Sequence, residues 1–117
     1  MEIPVFNLTK KGIEGYKSID EFFQNVKDKT IYVIDMDSLK GKEINFKILS
    51  KISKVYDVWY EFNARWMNDV SDVLISGAKI AVMSGERIKN KVIKHSLEIT
   101  EDLALRSEDF NTLKFFV

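Results

Sequence analysis

Cysteine is absent from the 117 residues, which excludes disulfides, cysteine nucleophiles and thiolate metal sites, and suits a cytoplasmic location. Histidine occurs once, as His95, so no multi-histidine metal site is available. Proline also occurs once, as Pro4, near the start of an apolar run where the first positions of a strand permit it. Net charge is missing too: 18 basic and 18 acidic side chains cancel. A balanced chain has no long-range field to gather phosphate backbones, so nucleic acid is not the expected partner. No apolar run approaches the roughly 20 residues that span a bilayer, and no basic flank leads from Met1-Glu2 into an apolar signal region. Several motifs are absent as well. There is no Gly-x-x-x-x-Gly-Lys, no Gly-x-Gly-x-x-Gly, no Gly-x-Ser-x-Gly and no His-Glu-x-x-His, which removes the enzyme classes most easily read from sequence.

What the chain does have is a repeated alternation of apolar runs with helix-like segments. At 45% hydrophobic and 31% charged it reads as a soluble globular chain, and its length fits one domain covering 1–117. Ile3 to Leu8 reads as a first strand, followed by a loop marked by Gly12 and Gly15. Ser18 is placed to cap a helix, with Glu21 completing a capping box and Ile19, Phe22, Phe23 and Val26 on one face. Thr30 to Met36 is a second strand, and Ile44, Ile48, Leu49 and Ile52 mark a helix over about 45–54. Tyr56 to Phe62 is a third strand. Asn68 is the expected cap of a helix stopping at Gly77, Lys79 to Met83 a fourth strand, and Ile88, Val92, Ile93 and Leu97 the face of a fourth helix. Leu103 to Leu105 and Leu113 to Val117 read as one or two further strands around a polar turn at 109–112. Such alternation with short connections argues for right-handed crossovers and an α/β fold with a parallel sheet of about five strands.

The most informative stretch is Ile31 to Asp37, where a buried run ends in Asp35-Met36-Asp37 before the break at Gly41. In parallel α/β folds, side chains at the C-terminal ends of strands face the ligand-binding rim. Asp35 and Asp37 are spaced to point the same way if the strand continues through them, and such a pair could share a proton, bind a cation or orient a hydroxyl. The alternative is that they cap the following turn. Lys10, Lys11, Lys40 and Lys42 fall just after the first two strands, where they could meet phosphate oxygens or simply be solvated. Trp59, Tyr60, Phe62 and Trp66 gather around the third strand, with core packing as their commoner use.

Five segments in order are similar to pieces of a known family: Ile3-Pro4-Val5-Phe6-Asn7-Leu8, Val33-Ile34-Asp35-Met36-Asp37, Asp57-Val58-Trp59 leading to Asn63-Ala64-Arg65, Ala81-Val82-Met83-Ser84-Gly85, and Ser107-Glu108-Asp109. Together they resemble the histidine-biosynthesis phosphoribosylformimino-aminoimidazole carboxamide ribotide isomerases and the related cyclase, (β/α)8 barrels that convert an aminoaldose to an aminoketose by acid-base catalysis. The resemblance implies a half-barrel-like (βα)4-5 domain, part of a TIM-barrel architecture, since the chain is about half the roughly 250 residues of a full barrel. It places Asn7 at the family's general-base aspartate, where an amide cannot take a proton, and Asp109 at the general acid. Arg65, Ser84 and Gly85 fall at phosphate-binding positions, where Phe62-Asn63-Ala64 replace glycines. The resemblance therefore implies an offshoot without independent isomerase activity. On this reading the chain self-associates to cover bare sheet edges and binds a phosphorylated small molecule weakly, with no metal and no cofactor. The alternatives are an active aldose-ketose isomerase or lyase using Asp35, Asp37 and Asp109, and a structural or protein-interaction module around Trp59 and Trp66.

Overall fold

The computed structural model describes residues 3–84, 102–106 and 113–116. In chain order these form β1 (Val5–Thr9), β2 (Gly12–Ile13), α1 (Ile19–Asn25), β3 (Thr30–Asp35), α2 (Met36–Leu39), α3 (Phe46–Ser53), β4 (Asp57–Phe62), α4 (Met67–Ile75), β5 (Ile80–Ser84), β6 (Leu103–Arg106) and β7 (Leu113–Phe116). The expected helix face at Ile88 to Leu97 lies outside the described residues, as does His95.

Local chemistry explains most of the boundaries. Ser18 caps α1, its Oγ accepting from the Glu21 N–H at 3.1 Å. Glu21 reaches back one residue further than a standard capping box, accepting from the Lys17 N–H at 2.9 Å. α4 is capped by Trp66 rather than by the expected Asn68, and Asp69 accepts from the backbone N–H groups of both Arg65 (2.9 Å) and Trp66 (3.2 Å). It ends at Gly77, whose φ of 117° only glycine adopts readily and whose added Cβ would lie 2.6 Å from Ser53 Cβ.

The strands form one seven-stranded sheet in the order β2-β1-β3-β4-β5-β6-β7. The five strands β1, β3, β4, β5 and β6 are parallel and follow their chain order. Right-handed crossovers between strands in that order place their connecting helices on one face. The core agrees. Phe22 of α1, Leu49 and Ile52 of α3, and Val70 and Val73 of α4 share one buried cluster with Leu8, Ile31, Val33, Val58, Tyr60, Phe62, Ala81, Met83 and Leu103 of the strands. Phe22 is its aromatic centre, with edge-on contacts to Phe6, Tyr16 and Tyr56 at centroid distances of 4.8, 5.0 and 5.5 Å. The opposite face carries a second cluster of Tyr32, Val82 and Ala104, flanked by Ile3, Ile34, Trp59 and Ile80.

Two sequence-based expectations change here. The parallel sheet gains a short antiparallel strand, β2, inside what the glycines marked as loop, which pairs with β1; the expected strand at Leu113 becomes β7, antiparallel to β6. Pairing from within the chain thus covers β6 along all four of its residues and β1 at Leu8 and Thr9, which weakens bare parallel edges as a motive for pairing with another copy. The aromatic group around β4 is also split by strand alternation. Tyr60 and Phe62 enter the helix-side core, Trp59 lies on the other face, and Trp66 is 69% exposed. Among the described residues no helix is long and apolar enough to cross a membrane.

Candidate functional site

Register sorts the strand-end residues by face. Leu8 pairs with Asp35, and Leu8 belongs to the helix-side core, so Asp35 follows Ile31 and Val33 towards the helices. Asn7 pairs with Ile34, and the row continues through Glu61 and Val82 to Ala104 on the other face. Asn7 and Asp35 thus lie on opposite sides of the sheet.

Asp35 is fully buried. It is the last residue of β3 and the N-cap of α2, and its carboxylate collects four donors. Oδ1 accepts from the Ser38 N–H at 3.0 Å and from Asn45 Nδ2 at 3.0 Å. Oδ2 accepts from the Asn45 N–H at 2.8 Å and from the Tyr60 hydroxyl. An ionised carboxylate has about four lone-pair sites, so this one is saturated. The buried Tyr60 hydroxyl is held far above its ordinary pKa, first by burial and then by the Asp35 charge and hydrogen bond, so it remains a donor.

Asp37 does not continue the strand. Because Met36 opens α2, Asp35 and Asp37 are not a same-face strand pair, yet Asn45 Nδ2 brings them together by donating to both. Asp37 Oδ2 accepts from that amide at 3.1 Å and from the Lys10 N–H at 2.7 Å. The Asn45 hydrogen bond leads in holding the Asp37 carboxyl below its usual range. The Lys10 N–H and the charges of Lys42 and Lys10 add to it against a smaller desolvation effect. Ser38, also buried, extends the network by accepting from the Asn63 N–H at 2.9 Å. The ends of β1, β3 and β4 are tied together in this way, while the exposed Arg65 reaches across to the Gly41 carbonyl at 3.4 Å.

The remaining expected site residues fall elsewhere. Asn7 is half-buried and donates from Nδ2 to Glu14 at 3.2 Å. Ser84 ends β5, paired in register with Arg106. Gly85 and Asp109 lie outside the described residues. The structure therefore joins Asp35 and Asp37, sets Arg65 on the neighbouring loop, and keeps Asn7 on the other face.

Three contributors escaped the sequence reading. Asn45, read only as a helix start, is the hub of the carboxylate network. Tyr60, read as packing, is a donor to it. Glu61 is 1% exposed on the face away from the helices, where its Oε1 accepts from the Tyr32 hydroxyl at 2.6 Å. The alternation Val58, Tyr60, Phe62 on one side and Trp59, Glu61 on the other was available as a signal for it. Among the described residues no three histidine, aspartate or glutamate side chains are grouped to hold a metal ion.

Chemically, a carboxylate whose lone pairs are all engaged is a poor proton acceptor, and one held ionised at low pH is a weak base. Around Asp37, in contrast, Lys10, Lys42 and Arg65 bring three cations to adjoining loops. Comparison of the chain with protein-family models, curated proteins and solved structures gave no match.

Proposed function

We propose that this chain is a half-barrel-like offshoot of the sugar-isomerase architecture that binds a small phosphorylated molecule at its strand ends and does not turn it over. The sequential order of the parallel strands, with the packed helices α1, α3 and α4 on one face, supports a half-barrel curvature. The observation that carries the functional reading is the saturation of Asp35 by four internal donors, one of them the buried Tyr60. A side chain so committed is a keystone of the rim rather than a base. The position that the resemblance would give to the base holds an amide, Asn7. Anion contact falls to Lys10, Lys42 and Arg65, with Ser84 at the next strand end.

The test is a thermal-shift titration with ribose 5-phosphate and, separately, inorganic phosphate, alongside an assay for aminoaldose-to-aminoketose conversion. The reading expects stabilisation that grows with ligand, about 2.7 kcal/mol at a hundredfold excess over the dissociation constant, its loss in Arg65→Ala, and no turnover. Turnover that disappears in Asp35→Asn or Asp37→Asn would establish the active isomerase or lyase instead. Indifference to both phosphates would favour a purely structural or interaction module.

Self-association is a second part of the proposal, now resting on β7. This four-residue antiparallel strand is the outermost in the described sheet, and such an edge can pair with its own copy about a twofold axis. Light scattering across a concentration series is expected to show a monomer–dimer equilibrium. A strict monomer at every concentration would remove this part and leave the ligand site untouched.

A further inference from the structure

A concavity away from the strand ends lies in the helical layer, between the start of α1 and the end of α3. It encloses about 480 Å3, with Ile19, Phe23 and Val55 as its apolar floor and Asp20, Lys51 and Lys54 at its sides. Val55, in the turn between α3 and β4, is 53% exposed and adds apolar surface to the groove.

The charge around this groove is one-sided. Lys47, Lys51 and Lys54 stand at i, i+4 and i+7, so they form a single stripe along α3, and all three are exposed. From Phe46 to Lys54 no acidic residue offsets them. On the opposite wall Asp20 is the acid that lines the groove, and Glu21 behind it is engaged with the Lys17 N–H. A chain with zero net charge therefore presents a cationic helix face beside exposed apolar surface.

We infer that this groove docks an acidic amphipathic segment of a partner protein, with its apolar side chains on Ile19, Phe23 and Val55 and its carboxylates along the Lys47-Lys51-Lys54 stripe. The volume suits protruding side chains of a short helix laid in a groove. A bilayer fits less well: Ile19 and Phe23 are half-buried at the bottom of a concavity, whereas surface-lying segments present a protruding apolar face to lipid. The inference is independent of the strand-end reading, since none of these residues belongs to the Asp35–Asp37 network.

The test uses the full chain, 15N-labelled, titrated with a synthetic helical peptide bearing glutamates along one edge and leucine and phenylalanine on its apolar face. The inference expects amide shifts on α1 and α3, binding that weakens with salt, and a loss of affinity of about tenfold or more in the Lys51→Glu/Lys54→Glu double variant. It also expects weaker binding of the same peptide with lysine in place of glutamate. Both lysines are exposed, so the fold is retained in the variant. Equal affinity for the two peptides, indifference to the double substitution, shifts confined to the strand ends, or binding to phosphatidylglycerol vesicles in preference to the peptide would each overturn it.

Discussion

Replacing Tyr60 by phenylalanine tests the strand-end network at its most buried point. The substitution removes one hydroxyl and leaves the ring, which packs among Val33, Phe62 and the α3 side chains, so the core keeps its volume. What is lost is a hydrogen bond to a fully buried carboxylate. Bonds to charged groups contribute about 1.5–3 kcal/mol, and the Asp35 charge would keep only the Ser38 and Asn45 donors. A loss of about 2 kcal/mol is expected. Urea unfolding followed by the fluorescence of Trp59 and Trp66 would register this as a midpoint shift of about 1 M at an m-value of roughly 2 kcal/mol/M. Alkaline pH supplies an independent sign. The folded Tyr60 hydroxyl is raised above its unfolded pKa of 10.0, so its contribution is full below pH 10 and declines as the pH rises further and the unfolded state ionises alone. Wild type should lose about 1.4 kcal/mol per pH unit more than Tyr60→Phe above pH 10. Tyr56, whose hydroxyl is also raised by burial and donates to the Val26 carbonyl, contributes equally to both proteins. A stability change under about 0.5 kcal/mol, or parallel alkaline limbs, would refute the description of Asp35 as a charge sustained by this hydroxyl.

Other substitutions probe separate joints of the fold. Gly77→Ala combines a positive φ with a Cβ 2.6 Å from Ser53 Cβ, so it should cost about 2 kcal/mol or more by thermal unfolding. Gly12→Ala, with a similar φ but open space around the new methyl, should cost less, and the difference measures the contact. Ser18→Ala removes the α1 cap and should cost about 1 kcal/mol in a chemical denaturation series. Asp37→Asn addresses the acid limb. Since the folded carboxyl is held below its usual value, its contribution is present above pH 3.8 and is lost as the pH falls through the lowered value. The variant should therefore show a flatter dependence of stability on pH in that acidic range, and an unchanged slope would mean that Asn45 and Lys10 do not hold the ionised form.

Much of the architecture was legible because period-2 and period-3.6 patterns report burial directly. Ile31 to Asp35, Val58 to Phe62 and Ile80 to Met83 are too apolar for anything but covered strands, and the Ser18–Glu21 pair marks a helix start by side-chain chemistry alone. The strands at Leu103 and Leu113 were likewise readable. The misses have local causes. β2 has two residues, too few for any period to show, and α2 has four. α4 takes Trp66 as its cap, with Asp69 folding back on the preceding N–H groups, a contact that a search for an Asn or Ser cap passes over. Asn45 is the sharpest case. Its position before a helix suggests a cap, but its side chain makes no cap bond and is spent on two aspartates eight and ten residues upstream.

Asp35 shows how parity decides whether a strand-end carboxylate is structural or available. In a sheet with its helices on one face, residues of the same parity as the buried strand positions point into the helical layer, where an acid survives only if its lone pairs are filled. Ile31, Val33 and Asp35 share that parity, so four internal donors follow from burial. Asn7 and Glu61 have the other parity and face away from the helices. Glu61 donates nothing while ionised and accepts from Tyr32, which leaves it the acid on that face whose position, unlike that of Asp35, was not dictated by a helix terminus. A double-mutant cycle between Tyr32→Phe and Glu61→Gln separates the two faces. Coupling of about 1 kcal/mol or more, independent of Tyr60→Phe, is expected if the sheet carries two separate polar networks. Non-additivity between Glu61→Gln and Tyr60→Phe would instead mean that the faces communicate through β4.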